Sequence, residues 1–173
     1  LVYKWNRCTE YEAAGRTDHH FRGGLAYKFY DELYETKLLD IEWTMGRTGV
    51  LTPVAVFDPI EIEGSTVERA SLHNISVMQE IFHGTPWVGQ QIEVFKANMI
   101  IPQIYDAEDV SDNLHYPELP FIEIPTVCPV CGGETKSYTE VDSAVLYCAN
   151  PLCEGKLINR LDHFCGKKGL DIK

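Results

Sequence analysis

Four cysteines stand close together as Cys128-Pro129-Val130-Cys131, Cys148 and Cys153, in the spacing C-x2-C-x16-C-x4-C. Two short chelating pairs of this kind bring four thiolates to the corners of a tetrahedron, a geometry that zinc accepts readily from sulfur. With every position filled by protein, such a metal is structural, not catalytic. Gly132-Gly133 lets the backbone turn back behind the first pair at little steric cost. Two disulfides or buried free thiols are the alternatives; the spacing and a reducing compartment favour zinc. Cys8 and Cys165 stand outside the pattern and read as ordinary thiols.

Several basic residues could meet an anion. In Gly46-Arg47-Thr48-Gly49 a guanidinium and a hydroxyl sit on a glycine-flanked turn, where they could grip a backbone phosphate. The plain alternative is a hairpin turn with a solvated arginine. Lys96 is the lone basic residue between Arg69 and Lys136, followed by adjacent Ile100 and Ile101. Neighbours in a strand face opposite ways, so one isoleucine could be core and the other a wedge in a DNA minor groove; the alternative buries both. Lys4 and Lys28 each lie in an apolar, strand-like run, either on the solvated face or in a cleft against a phosphoryl group. Lys167 and Lys168 follow a C-terminal helix, where they complement its dipole or touch phosphate.

The elements that must position these groups read as mainly β. Strands are expected over 38–46 and 50–57, a short strand and turn over 61–64, then strands over 66–73 and 91–97, with 100–102 closing the set. Pro53 suggests that the second strand lies at an edge or carries a bulge. Asn74 is a suitable N-cap for a short helix reaching about Phe82. About five short strands with one helix between the later ones fit a small Greek-key barrel of the OB type, and an SH3-like barrel reads much the same. A helix is expected over 156–164, with Leu157, Leu161 and Phe164 on one face.

The chain has 173 residues and a net charge of −11, room for one medium domain or two small ones. That charge argues against whole-surface electrostatic binding of nucleic acid, and it sits upstream of the cysteines: residues 1–127 carry nine Lys/Arg against twenty Asp/Glu, whereas 128–173 carry six of each. Residues 105–125 hold six acids, three prolines and no Lys or Arg, the composition of a connector. Neither a membrane span nor a secretion signal is evident, and a cytoplasmic monomer is expected. A strand-like start at Leu1 in place of methionine reads as a piece of a longer protein.

Taken in order, Gly46-Arg47-Thr48-Gly49-Val50-Leu51-Thr52-Pro53, Ala70-Ser71-Leu72-His73-Asn74, Ile101-Pro102-Gln103-Ile104 and Cys128-Pro129-Val130-Cys131-Gly132 resemble bacterial NAD-dependent DNA ligases. The resemblance implies a layout: residues 1–35 as the end of the adenylation (nucleotidyltransferase) domain, 36–124 as an OB domain, 125–165 as a four-cysteine zinc finger, and 166–173 as the start of a helix-hairpin-helix region. It implies that Lys4, in Val-x-Lys-x-Asn, and Lys28 contact the nucleotide and serve adenylyl transfer. It also implies that Arg47, Thr48, Lys96, Ile100 and Ile101 contact DNA across a nick. NAD, zinc and magnesium are the implied cofactors, nicked double-stranded DNA the partner, and replication and repair the setting. The sequence departs from the family at Asn98 and Met99, where glycine and an acid are usual, and at 19–24, where His19-His20-Phe21-Arg22-Gly23-Gly24 replaces the usual basic-proline run.

A Lys-x-Asp-Gly motif, which supplies the adenylated nucleophile in that family, is absent from these residues. The expectation is therefore a DNA-engaging part of a ligase that completes the nucleotide site and does not adenylate itself. The other readings are a non-catalytic OB and zinc-ribbon nucleic-acid-binding protein and a zinc-stabilised protein-interaction domain. The acidic charge suits the last of these.

Overall fold

The computed structural model describes residues 1–27, 32–109, 120–140 and 143–172, and divides into two compact units, Leu1–Glu32 and Leu33–Lys173. In the first, β1 (Val2–Lys4) pairs antiparallel with β2 (Gly24–Ala26), and α1 (Cys8–Ala13) lies between them in sequence. Gly23 is required where it stands, because a Cβ there would fall 2.6 Å from the Tyr11 ring. The Tyr11 ring in turn stacks obliquely on Phe21 at 5.1 Å.

The second unit is built on a seven-stranded antiparallel sheet. Its strands are β3 (Tyr34–Met45), β4 (Val50–Ile62), β5 (Ser65–Ser71), β6 (Gln91–Ala97), β7 (Ile101–Ala107), β8 (Thr135–Glu140) and β9 (Ser143–Cys148). The path runs β7-β6-β3-β4-β9-β8, with β5 also on β4. β3 serves two partners and β4 three, because both are long and pair with different neighbours along their length. β3 meets β6 through Tyr34–Lys37 and, past a register shift between Leu38 and Asp40, meets β4 through its second half. Short α2 (Ile75–Ile81) stands between β5 and β6, with the Asn74 side chain accepting from the Val77 amide at 2.9 Å. Five strands with a helix before the fourth form the OB barrel. Alternating inward residues such as Leu38, Phe57, Ile62, Leu72, Ile92 and Val94 fill its core.

Four features differ from the sequence reading. Strand β4 runs unbroken to Ile62, so the separate short strand at 61–64 is its end plus a turn at Glu63 and Gly64. Pro53 lies inside β4, a strand flanked on both sides, not at an edge. It is accommodated because its carbonyl accepts from the Leu72 amide (2.9 Å), while the Leu72 carbonyl, which a ladder would offer to residue 53, takes the Asn74 amide instead (2.6 Å). Residues 120–125 are more than a connector. Val88 and Ile122 donate to the carbonyls of Pro120 and Pro86, and Ile122 and Ile124 pack on the core. The hairpin β8–β9 is absent from the sequence reading, although Ser143–Cys148 is a short, largely apolar run, and β9 joins the barrel sheet through Val50↔Tyr147 and Leu51↔Leu146.

Candidate nucleic-acid interface and metal centre

The cysteine knuckle is assembled from three local devices. The Cys128 amide donates to the Gly133 carbonyl (2.7 Å) and the Gly132 amide to the Cys128 carbonyl (2.9 Å), a tight loop in which Gly132 takes φ +66°. Cys148 ends β9, and Cys153 caps the start of α3 (Glu154–Cys165). The four Sγ atoms of Cys128, Cys131, Cys148 and Cys153 all lie within 4.8 Å of one another, with Cys131 and Cys148 at 3.6 Å. Sulfurs at about 2.3 Å from a central zinc lie about 3.8 Å apart, so the group is compatible with a zinc finger. No two cysteines are joined in a disulfide in this structure, and Cys8 and Cys165 lie outside the group.

The thiols are also chemically unlike. The Gly133 backbone N–H, helped by the Asn150 amide at 3.6 Å, holds Cys131 down to about 6. Burial pushes Cys148 up to about 12, and the neighbouring sulfurs add to the rise. Four such groups cannot all ionise without a cation between them; a dication supplies that compensation, and binding it expels protons.

The 46–49 turn joins β3 to β4. The Gly46 amide donates to Val50 (2.8 Å) and the Gly49 amide to Gly46 (2.9 Å), with Gly49 at φ +90°. Arg47 and Thr48 occupy the two central positions and both are exposed. The base of this turn rests on α3. The Lys156 stem crosses Gly49 so closely that a Cβ there would fall 2.1 Å from Lys156 Cε, and Nζ donates to the Cys148 carbonyl at 2.8 Å. Asn159 Nδ2 donates to the Met45 carbonyl (3.1 Å), Arg160 Nε to the Arg47 carbonyl (3.3 Å), and the Cys148 amide to the Gly49 carbonyl (2.9 Å).

The β6–β7 turn carries the second candidate group. The Ile100 amide donates to Ala97 (3.2 Å) across Asn98 and Met99, at φ +54° and +63°. Two left-handed residues make this a type I′ hairpin turn. Ile100 and Ile101 are 76% and 56% exposed, so neither belongs to the core. Lys96 behaves differently from its expected role as a DNA contact. It is only 9% exposed, and its ammonium donates to the Ile62 carbonyl (2.7 Å) and to Ser65 Oγ. Those acceptors flank the β4–β5 turn, so the lysine ties two turns together instead of presenting its charge to solvent. By register, β6 runs out past Tyr34 while the 46–49 turn lies beyond Met45, so the two candidate groups sit at opposite ends of β3.

Lys4 is exposed at the end of β1, opposite Gly24, and Lys28 lies outside the described residues. Sequence reasoning missed Lys156, Asn159 and Arg160. The α3 pattern pointed to Leu157, Leu161 and Phe164 as the packing face, yet these stay exposed, and the small Gly155 is what lets the helix approach Met45 and Val130. The available signal was the three-to-four spacing of Gly155, Lys156, Asn159 and Arg160, which a hydrophobic pattern does not weigh.

Comparison with known proteins bears on this arrangement. The NAD-dependent DNA ligase OB-fold domain family matches residues 35–113. Across the whole chain, a DNA ligase of Lachnoclostridium phytofermentans is 44% identical over 173 residues. Residues 35–113 are an OB domain of the NAD-dependent DNA ligase type, and the whole chain is similar to one section of a DNA ligase. A DNA ligase of Ruminiclostridium cellulolyticum is 43% identical over 94% of the chain, and one of Ligilactobacillus salivarius is 40% identical over all of it. The chain spans about a quarter of each of these ligases, 25%, 23% and 25% in turn. A stand-alone, non-catalytic OB and zinc-ribbon protein is not favoured by these matches. Among the described residues no helix is long and apolar enough to cross a membrane.

Proposed function

We propose that this chain is the DNA-engaging section of an NAD-dependent ligase that seals nicks in duplex DNA by adenylyl transfer. The observation that carries the reading is the exposed Arg47–Thr48 turn, held at the end of an OB barrel of the NAD-dependent ligase type and backed by the cysteine knuckle. A guanidinium beside a hydroxyl on a rigid turn suits the bidentate, charge-assisted grip of a backbone phosphate. Ile100 and Ile101 form an exposed apolar point suited to the floor of a minor groove, at the other end of β3. Lys96 leaves this set, because its ammonium is committed inside the fold.

Zinc held by Cys128, Cys131, Cys148 and Cys153 supplies the cross-link that a small, core-poor knuckle needs. Residues 1–35 serve as the end of the adenylation domain, 36–124 as the OB domain, 125–165 as the zinc finger and 166–173 as the approach to a helix-hairpin-helix region. Lys4 and Lys28 contribute positive charge beside the nucleotide. NAD supplies the adenylyl group and magnesium the charge neutralisation that phosphoryl chemistry requires. The setting is cytoplasmic DNA replication and repair, with the protein acting as a monomer.

Fluorescence anisotropy with nicked and intact duplexes tests the reading. The chain should bind at about micromolar or weaker affinity at physiological salt, weakening further as salt rises, because its net charge of −11 opposes the polyanion. Equal indifference to DNA at low and high salt would contradict it. With radiolabelled NAD the isolated chain should form no covalent adenylate; a labelled protein band would overturn the assignment of its role.

A further inference from the structure

We infer that Lys156, Asn159 and Arg160 are positioning residues: one edge of α3 clamps the 46–49 turn and fixes where Arg47 and Thr48 stand. The inference rests on the proposed contact of that turn with DNA.

An isolated four-residue turn holds its shape through two backbone hydrogen bonds here, Gly46 to Val50 and Gly49 to Gly46. An exposed glycine-flanked turn with no more than this opens readily. Three further bonds reach it from the C-terminal region, and a fourth closes behind it. Asn159 Nδ2 secures the Met45 carbonyl at the end of β3, and Arg160 Nε takes the Arg47 carbonyl itself. The Cys148 amide takes the Gly49 carbonyl at the start of β4. Lys156 lays its stem over Gly49 and returns its ammonium to the Cys148 carbonyl, closing a ring between turn, knuckle and helix. Asn159 is itself braced, since Nδ2 also donates to the Gly155 carbonyl at 2.8 Å.

The clamp leaves the functional ends of the turn outward: Arg47 and Thr48 remain exposed while their backbone is held from behind. A guanidinium on a fixed turn loses less freedom on meeting a phosphate than one on a loose loop, so the clamp contributes to affinity without touching DNA. Asn159 and Lys156 are aimed inward for this purpose. Arg160 spends only Nε on the Arg47 carbonyl, which keeps a second guanidinium beside the turn.

Amide hydrogen exchange on the intact chain separates the clamp from the DNA reading. Asn159→Asp keeps the shape and cannot donate; Lys156→Met keeps the stem and drops the bond to Cys148. Each should raise exchange at the Gly46 and Gly49 amides by about tenfold or more, with the β6–β7 amides unchanged. Binding of nicked duplex should weaken several-fold while the dependence on log salt keeps its slope, because no phosphate contact has been removed. Unchanged exchange at Gly46 and Gly49 in both folded variants would overturn the clamp. Faster exchange at the turn with unaltered binding would uphold the clamp and overturn the DNA role of Arg47 and Thr48.

Discussion

Gly49→Ala tests the packing under the turn with a single methyl group. Two penalties combine. Gly49 holds φ +90°, and a left-handed conformation costs a residue with a Cβ about 1–2 kcal/mol. The new Cβ would also fall 2.1 Å from Lys156 Cε and 3.0 Å from its Nζ, so the lysine must swing away and lose its bond to the Cys148 carbonyl. That bond, at a partly exposed site, is worth about 0.5–1.5 kcal/mol. The stiffer unfolded chain returns about 0.4–1 kcal/mol. The net loss is about 0.5–3 kcal/mol, read as a lower urea midpoint at constant slope, or as a fall of about 2–4 °C in melting temperature per kcal/mol. Lys156→Ala removes the obstructing stem, so the double variant should lose less than the sum of the singles, by about 1 kcal/mol. A Gly49→Ala loss below about 0.5 kcal/mol, or strict additivity with Lys156→Ala, would refute the close packing of stem on turn.

Three further outcomes follow from the same structure. Lys96→Met should destabilise the fold by about 1–3 kcal/mol, because the Ile62 carbonyl and Ser65 hydroxyl lose their donor, and should leave the salt dependence of DNA binding unchanged; a shallower dependence would return Lys96 to the phosphate contacts. Met99→Gly should stabilise the chain by about 0.5–1 kcal/mol in urea melts, since Met99 sits at φ +63° in the type I′ turn where glycine is preferred, and a loss of stability would show that its side chain is held. Titrating zinc into the reduced apo chain at neutral pH should release fewer than four protons per ion in an indicator assay. Cys131, held at about 6, is already ionised there, whereas Cys148, at about 12, must surrender its proton. Release of four would contradict the difference between them.

What the sequence made legible were features fixed by local chemistry. The C-x2-C and C-x4-C pairs place their thiols through tight loops, so the metal group followed from spacing alone. Asn74 capped its helix as expected, because the bond spans three residues, and the glycine turn at 46–49 formed where the glycines allowed it. The misses depended on the partner across space. Pro53 fits inside the sheet only because Asn74 takes the Leu72 carbonyl, an arrangement invisible in a local pattern. A lone lysine in a strand reads as solvated, and only the approach of the β4–β5 turn gives Lys96 its internal acceptors. The α3 pattern favoured its leucines, yet a glycine and three polar residues make the contact, since backbone carbonyls at the end of β3 demand donors more than apolar area.

The most direct measurement is the salt dependence of nicked-duplex binding by Arg47→Ala beside the parent chain. If the guanidinium grips a phosphate, the variant binds more weakly and its slope of log affinity against log salt is shallower by about 0.9. The Gly46 and Gly49 amides should stay protected, because the clamp holds backbone and not the arginine tip. An unchanged affinity and an unchanged slope would contradict the account at its centre.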